Sequence, residues 1–487
     1  VFPFGCRLMA FKDLQEYIAA LSLRRDLKKI TVPVDPVLEI TEIADRMVKR
    51  GGPALLFENA AGSPFPVAIN LFGTLQRLCF ALGVEDLDEI AKRVVGLIPQ
   101  SPPDTFFEKM RFLVKLKEIS GFQPRKVSAG PVQELVEKTP NLLRLPVLKC
   151  WPKDAGRFIT LPLVVTRNPH TGQQNIGMYR IQIVSETKAI MHWHVHHDGA
   201  KNFRLHQAQG QDMEVAIVLG GDPATIYAAT APLPPGFDEL LFAGFLRGEA
   251  VEVVRGTTVD LLLPAHGEFL IEGSVSATET MLEGPFGDHT GFYSGADNYP
   301  VITIKTITRK KTPIYPATIV GRPPMEDCYF GKATERIFLP LIRLQLSEVS
   351  DINLPCEGVF HNCVIVAIKK EYPGHARKVA SALWGMGQMM FVKAIIIVDE
   401  DVDVQNLSEV AWKVLSSVDP ERDTFMVKGP LDVLDHAAPQ SIYGSKIGID
   451  ATRKLKEEGH LRPWPEEIKM APEIKALVDK RWKEYGF

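Results

Sequence analysis

Asn175-Ile-Gly-Met-Tyr-Arg-Ile-Gln-Ile-Val184, Ser185-Glu-Thr-Lys188 and Ala189-Ile-Met-His-Trp-His-Val-His196 read in succession as a strand, a four-residue loop and a returning strand. If Val184 faces Ala189, Gly177 lies opposite His196, and Asn175 is a diagonal neighbour of His196 within side-chain reach. Strand alternation puts His192, His194 and His196 on that same face. Arg180 is harder to place. Ideal alternation sends it to the face opposite Asn175, so a site using both residues requires a bulge or a strong twist. Without one, Arg180 is a surface arginine.

Working outward, the chain from about Leu143 to Thr308 consists of short apolar runs broken by Gly, Pro, Asn and Asp, the pattern of a β-sandwich or barrel. Before it, a helix over Phe11–Leu21 and another near Glu39–Arg50, stopped by Gly51-Gly52, flank strands at Ala54–Phe57 and Val67–Leu71. Further helices are expected near Leu75–Leu82, Leu87–Val95 and Phe106–Ile119. Beyond the β-rich stretch, Gly331–Leu346 reads as a connecting helix. Cys363–Ile368, His375–Trp384, Ala394–Val398, Leu407–Val418 and Thr424–Lys428 then alternate strand and helix, which predicts an open, mostly parallel sheet. The charged, proline-rich tail after Arg453 ends in a short helix from about Pro472. The fold class is α/β in several domains (α+β overall): an N-terminal α/β region at 1–125, the β domain at 126–330, a linker helix at 331–348, and a C-terminal α/β domain with its tail at 349–487.

The chain's 487 residues are too many for one ordinary core, and 45% hydrophobic with 24% charged residues is globular composition. A net charge of -3 gives no reason to expect nucleic acid as a partner. Six scattered cysteines without a CxxC pair indicate neither a disulfide framework nor a zinc finger, and a reducing cytoplasm is the simplest setting. No apolar run reaches membrane-span length. The residues before Met9 read as an upstream extension, since they lack the apolar core of a signal peptide.

Two segments carry chemistry. Glu283-Gly-Pro-Phe-Gly-Asp-His-Thr-Gly291 places two carboxylates five residues apart in a loop that glycine and proline keep out of helix and strand. It is either a solvated turn or a proton-transfer site. In the hairpin, an amide oxygen and one or more imidazoles on one face could hold a divalent ion, with Glu239 of Gly236-Phe-Asp-Glu-Leu240 a candidate for the missing carboxylate. Alternating histidines suit zinc and a hydrolase, whereas the asparagine fits a harder ion such as Mn or Mg. A polar, solvated barrel strand and a non-catalytic binding or scaffold protein are the other readings.

Three segments taken together, Asn175–Arg180, Glu239 with Phe242-Ala-Gly-Phe-Leu-Arg-Gly248, and Glu283–Asp288, resemble the UbiD family of reversible aryl and acrylic acid decarboxylases. Gly321-Arg-Pro-Pro324, Lys369-Lys-Glu-Tyr-Pro-Gly-His-Ala376 and Gly444-Ser-Lys-Ile-Gly-Ile-Asp-Ala-Thr452 extend the resemblance from about Met9 to Thr452. It is nearest the branch containing 3-polyprenyl-4-hydroxybenzoate decarboxylase of ubiquinone biosynthesis. The resemblance implies a central split β-barrel that binds prenylated FMN, a Mn²⁺ ion, and a K⁺ or Na⁺ ion nearby. It implies a homo-oligomer (dimer or hexamer) supplied with cofactor by a flavin prenyltransferase, and an aromatic carboxylic acid and CO2 as reactants. By motif position, Asn175, His196 and Glu239 are the implied metal ligands. Met178, Tyr179, Arg180, His192, Trp193, His194, His197 and Asp198 are the implied cofactor contacts. His192 and His197 stand where ubiquinone-pathway relatives carry arginine, and Asp198 where they carry glycine. Glu283, Arg180 and Asp288 are the implied catalytic network, with Asp288, or else Glu283, delivering a proton from a carboxyl whose pKa burial raises.

Overall fold

The computed structural model describes residues 10–97, 117, 119–234 and 236–486. The helix expected at Phe106–Ile119 falls almost wholly outside these residues, as does the stretch before Met9. The first helix runs Leu14–Leu23 rather than from Phe11, because Asp13 caps it through a 2.9 Å bond from the Glu16 N–H. Phe11 instead packs its ring 5.1 Å from both Tyr17 and Phe80. Helix Glu39–Lys49 buries Ile40, Ala44 and Val48 along one stripe, and Gly51 follows it in the left-handed conformation. Strands Leu27–Ile30, Ala54–Phe57, Val67–Ile69 and Tyr315–Pro316 form the N-terminal sheet in that order. Its last strand comes from beyond the central domain, so distant chain closes the N-terminal layer.

Among the described residues the central sheet has nine strands. Phe158–Ile159, Ile181–Ile183, Lys188–Met191, Asp297–Arg309, Phe269–Glu283, Met213–Leu219, Pro162–Arg167 and Gln174–Gly177 lie side by side in that order, and Leu135–Glu137 pairs off the path with Asp297–Arg309. Its strand Met213–Leu219 is buried on both faces. Met213, Val215, Ile217 and Leu219 enter one core, while the alternate residues Ala216 and Val218 enter the other, against the helices. Each large aliphatic so buried contributes about 1.5–3 kcal/mol.

The strand expected over Asn175–Val184 is two strands at nearly opposite ends of this order. Met178, Tyr179 and Arg180 carry the chain from one to the other, and the sheet curls into a half-barrel. Gly177 permits the crossing, because a Cβ there would sit 2.1 Å from the Tyr179 hydroxyl oxygen. The break supplies the turn that ideal alternation required for Asn175 and Arg180 to serve one site. The hairpin register also differs from expectation by one residue. Ala189 pairs with Ile183, and the Val184 N–H bonds the Lys188 carbonyl at 3.0 Å, leaving a three-residue loop. The Ser185 hydroxyl accepts from the Lys188 N–H at 3.1 Å and closes the turn one position early. Three helices, Asp198–Ala208, Pro223–Ala228 and Glu239–Arg247, interrupt the β-rich stretch.

Helix Glu326–Gln345 leads into a second sheet ordered Val349–Asn353, Cys363–Ile368, Ala394–Asp399, Tyr443–Asp450, Thr424–Pro430. Its two inner pairings are parallel and its two edge pairings antiparallel, so it is mixed rather than mostly parallel. The tail helix is Pro472–Arg481. Contrary to the cysteine reading, Cys328 of the long helix and Cys356 after the first strand of this sheet form a disulfide with Cα atoms 5.3 Å apart. They are 28 residues apart in sequence, a spacing that carries no signal. Among the described residues no helix is long and apolar enough to cross a membrane.

Candidate active site at the barrel mouth

The crossing at Met178–Arg180 delivers Arg180 to the end of the long strand Phe269–Glu283. Glu283 is fully enclosed, at 0% exposure. Arg180 Nε donates to Glu283 Oε1 at 2.8 Å and Nη2 donates to Oε2 at 3.2 Å, a two-pronged pair. Nη2 also donates to Ser294 Oγ at 3.1 Å, and Nη1 pairs with Asp288 Oδ2. The guanidinium lies 4.7 Å over the Phe286 ring, which is itself core against Phe158. One arginine thus joins both carboxylates of the loop.

The loop is held from behind. Asp154 accepts from the Gly287 N–H at 2.8 Å and from the Trp151 N–H at 2.8 Å, and Trp151 Nε1 donates to the Val320 carbonyl at 2.9 Å. A Cβ at Gly287 would lie 2.1 Å from Trp151 Cδ1, so only glycine lets the chain pass between Phe286 and Asp288. Gly284 sits at φ +87, and Gln182 Oε1 accepts its N–H at 2.9 Å.

Charge decides the protonation states. Burial pushes Asp288 up, but the His289 hydrogen bond and the Arg180 charge outweigh it and hold the carboxyl well below its ordinary value. The raised carboxyl expected for an acid is therefore absent in this resting arrangement. Glu283 is likewise lowered, because His192 and Arg180 overcome its burial. Burial acts against the charge on Arg180, yet Asp288 and Glu283 raise it above the ordinary arginine value. His289 is raised, since Asp288 overcomes its burial. The acid limb of stability follows. Both carboxylates are depressed in the fold, so their contribution is complete above about pH 5, past the unfolded carboxyl range, and is lost as pH falls through the folded values. Acid unfolding followed by circular dichroism should therefore begin at higher pH in Glu283→Gln than in the unsubstituted protein.

From this triad a chain of polar groups runs to Asn175. His192 Nδ1 lies 3.0 Å from both Arg180 Nη2 and Glu283 Oε2, and its Nε2 is 2.8 Å from His194 Nε2. The His194 N–H donates to His197 Nδ1 at 3.2 Å, and the two rings stack with centroids 4.8 Å apart. His197 lies 4.9 Å from the Tyr179 ring, and the Tyr179 hydroxyl is 3.5 Å from Asn175 Oδ1. Asn175 Nδ2 donates to Glu239 Oε1 at 2.6 Å, and the Ile176 N–H donates to Oε2 at 3.1 Å. Glu239 opens helix Glu239–Arg247, capped by Asp238. Burial pushes its carboxyl up to about 7, and the hydrogen bonds from Ile176 and Asn175 only partly offset this. Burial, with the neighbouring His192, lowers His197 to about 4, so it is a neutral imidazole.

His196 does not join this group. Regular strand ends at Met191, and His196 sits exposed in a turn with its ring 5.3 Å from Phe391. The one-residue slip and the strand's early end replace it with His197 as the imidazole on the Tyr179 side. Asp198 opens helix Asp198–Ala208, where it pairs with Lys201 at 2.8 Å. Trp193 is buried between Tyr179 and Phe203, and its Nε1 has no hydrogen-bond partner among the described residues. Met178 packs against the core beneath the helices.

Family models for the N-terminal, Rift-related central and C-terminal domains of 3-octaprenyl-4-hydroxybenzoate carboxy-lyase match residues 18–94, 125–323 and 328–451. The chain belongs to the UbiD family. That makes it an enzyme of the carboxy-lyase class rather than a metal-dependent hydrolase or a non-catalytic scaffold. Uncharacterised proteins of Archaeoglobus fulgidus and Aquifex aeolicus are each 48% identical over 98% of this chain and 99% of their own length. Among solved structures, the vanillic acid decarboxylase of Sedimentibacter hydroxybenzoicus in closed form superposes with a TM-score of 0.84 at 26% identity, covering 98% of this chain and 99% of its own. The UbiD-class enzyme HmfF of Pelotomaculum thermopropionicum, in complex with FMN, gives 0.81 at 26% identity, with 96% and 99% covered.

Several neighbours of the triad escaped the sequence reading. Ser294 and Gln182 hold Arg180 and the loop, and nothing in their local pattern marks them. His289 was visible beside Asp288 but had no partner to give it a role until its ring was seen bonded to Asp288. His361, which meets His289, comes from the C-terminal domain.

Proposed function

We propose that the protein decarboxylates, reversibly and without net oxidation, a hydroxylated aromatic carboxylic acid, using prenylated FMN and Mn²⁺ with a K⁺ or Na⁺ ion nearby. The observation that carries this is the enclosed Arg180–Glu283–Asp288 triad at the barrel mouth, continuous with a partly buried Asn175–Glu239 pair. The groups fit. Glu239 is a carboxylate that burial disfavours and for which a divalent cation would supply the missing counter-charge. Asn175 adds an oxygen and His197 a neutral imidazole, a donor set suited to Mn²⁺. For the flavin, Trp193 offers an unpartnered N–H, and Gly199 lets helix Asp198–Ala208 approach, since a Cβ there would meet Tyr179 at 2.9 Å and Trp193 Nε1 at 3.0 Å.

When bound, the prenylated flavin supplies the electron sink that an aryl carbon losing CO2 needs and no side chain provides. Arg180 attracts the substrate carboxylate and is oriented by Glu283. Asp288 returns a proton to the ring carbon. Loop and barrel exclude water from the triad. The first substrate candidate is 3-polyprenyl-4-hydroxybenzoate in ubiquinone biosynthesis, then a naphthoate of menaquinone synthesis or a simple phenolic acid. The reading includes the domain division given above, a cytoplasmic setting (peripheral to the membrane for a prenylated substrate), a flavin prenyltransferase as cofactor supplier, and a homo-oligomer.

The test is co-expression with a flavin prenyltransferase, then absorption spectrum and intact mass of the released cofactor, then CO2 release across aromatic acids. A prenylated flavin with CO2 released from at least one hydroxylated acid is expected. Protein that stays free of flavin, or that binds it yet neither releases CO2 nor exchanges ring hydrogen, would overturn the reading.

A further inference from the structure

Behind Asp288, on the side away from Arg180, lies a group of side chains the decarboxylation does not use. His289 Nε2 is 2.7 Å from His361 Nε2, and ligand atoms of His289, His361 and Asp432 all fall within 4.8 Å of one another. The first comes from the loop after the long barrel strand. The other two come from separate loops of the C-terminal domain. All three are half-buried, so an ion could enter from solvent.

Three observations point to a ligand there. First, the other ring nitrogen of His289, Nδ1, lies 2.9 Å from Asp288 Oδ1, the carboxylate support that metal-bound histidines usually carry. Second, His361 Nδ1 is buried without a hydrogen-bond partner among the described residues. The hydrogen bonding of the His361 ring is thus confined to Nε2, whose lone pair meets an ion once the proton shared with His289 is displaced. Third, His361 is aimed by strained backbone. Val359 and Phe360 precede it with φ of 43 and 52, and the Phe360 ring stacks on His289 at 5.5 Å.

We propose that His289, His361 and Asp432 form a second metal site, for a late first-row divalent ion of the Zn²⁺ type, that joins the Asp288 loop to the C-terminal domain. Two imidazoles and one carboxylate favour such an ion over Mn²⁺ or Mg²⁺. At zinc–nitrogen distances of about 2.0–2.1 Å, the two Nε2 atoms must open to roughly 3.3 Å, a shift of a few tenths of an ångström, as the ion replaces the shared proton. Three protein ligands leave the ion a position for water or a substrate oxygen. This site stands apart from the Asn175–Glu239 pair and does not depend on which acid the enzyme uses.

The test uses Co²⁺, a coloured substitute for Zn²⁺, added to chelator-treated protein. The unsubstituted chain and Glu239→Ala should both show the visible bands of a four-coordinate Co²⁺ site and bind one equivalent there at micromolar concentration. His361→Ala and Asp432→Ala should each weaken that binding roughly tenfold or more. A folded His361→Ala or Asp432→Ala that binds Co²⁺ as the parent does would overturn the proposal. So would a parent with no such bands, or bands that vanish only in Glu239→Ala.

Discussion

Asp288→Asn should cut CO2 release about a hundred- to ten-thousandfold, the usual worth of a positioned proton donor. It should also remove deuterium incorporation into the product ring in heavy water. The side chain keeps its shape, so the Asp288 loop, tied down by Asp154 and Gln182, should keep its fold. The resting carboxyl is ionised, which sets a condition on the mechanism. Asp288 is held low by two groups, His289 and Arg180. An anionic substrate that draws the Arg180 guanidinium removes part of one of them. Shutting water out by substrate and flavin surface strengthens the burial that already pushes the carboxyl up. Both changes raise its proton affinity only once substrate is present, so the carboxyl takes up its proton when the donor is needed. Glu283→Gln separates the roles of the two acids. It leaves Asp288 in place but loosens Arg180, and should raise KM more than it slows ring exchange. Normal deuterium incorporation in Asp288→Asn together with its loss in Glu283→Gln would transfer the donor role to Glu283.

What sequence pattern could show depended on whether a feature was local. Cys363–Ile368 was legible to the residue, because a strand buried on both faces is a continuous apolar run bounded by turn residues. His375–Trp384 was equally legible from its apolar stripe. Strand Tyr443–Asp450 was read as a motif and missed as a strand. Its Gly444 and Gly448 suggest a loop, but they are there to admit Leu431 and the Phe425 ring, and the partners lie far off in the chain. The hairpin was recognised, but its register turned on one hydroxyl, Ser185, bonding back to the Lys188 N–H. In a structure with period two, that single residue moves every facing pair. His196 was accordingly matched with Asn175, while the chain had already left the strand and brought His197 to the Tyr179 side. The two acids at Glu283 and Asp288 were legible from their loop, but the triad they make with Arg180 was accessible only through family resemblance. Its members are 103 and 108 residues apart in sequence, and periodicity argued against Arg180. His361 and Asp432 had no local signal at all.

Glu239→Ala should strip both the metal and the flavin from the purified protein, lowering manganese content from about one equivalent to background and abolishing activity. The argument rests on what the carboxylate faces. Its partners are the Asn175 amide and the Ile176 N–H, neither of which is charged, and burial pushes it up to about 7. A carboxylate kept in such a place without a cation is a cost to the fold, and one with a divalent ion is a ligand whose field the ion completes. Without Glu239, Asn175 and His197 would offer a divalent ion only an amide and an imidazole, too little charge to hold it against water. A flavin held in part by that ion would be lost with it. Asn175→Ala removes a neutral ligand and should weaken metal retention less. His196→Ala, a substitution in an exposed turn beside Phe391, should leave manganese and flavin at their original levels, whereas His197→Ala should lower both. Elemental analysis and flavin absorbance of the four variants, purified in parallel, decide the assignment. A Glu239→Ala protein that retains both groups would show that the metal lies elsewhere.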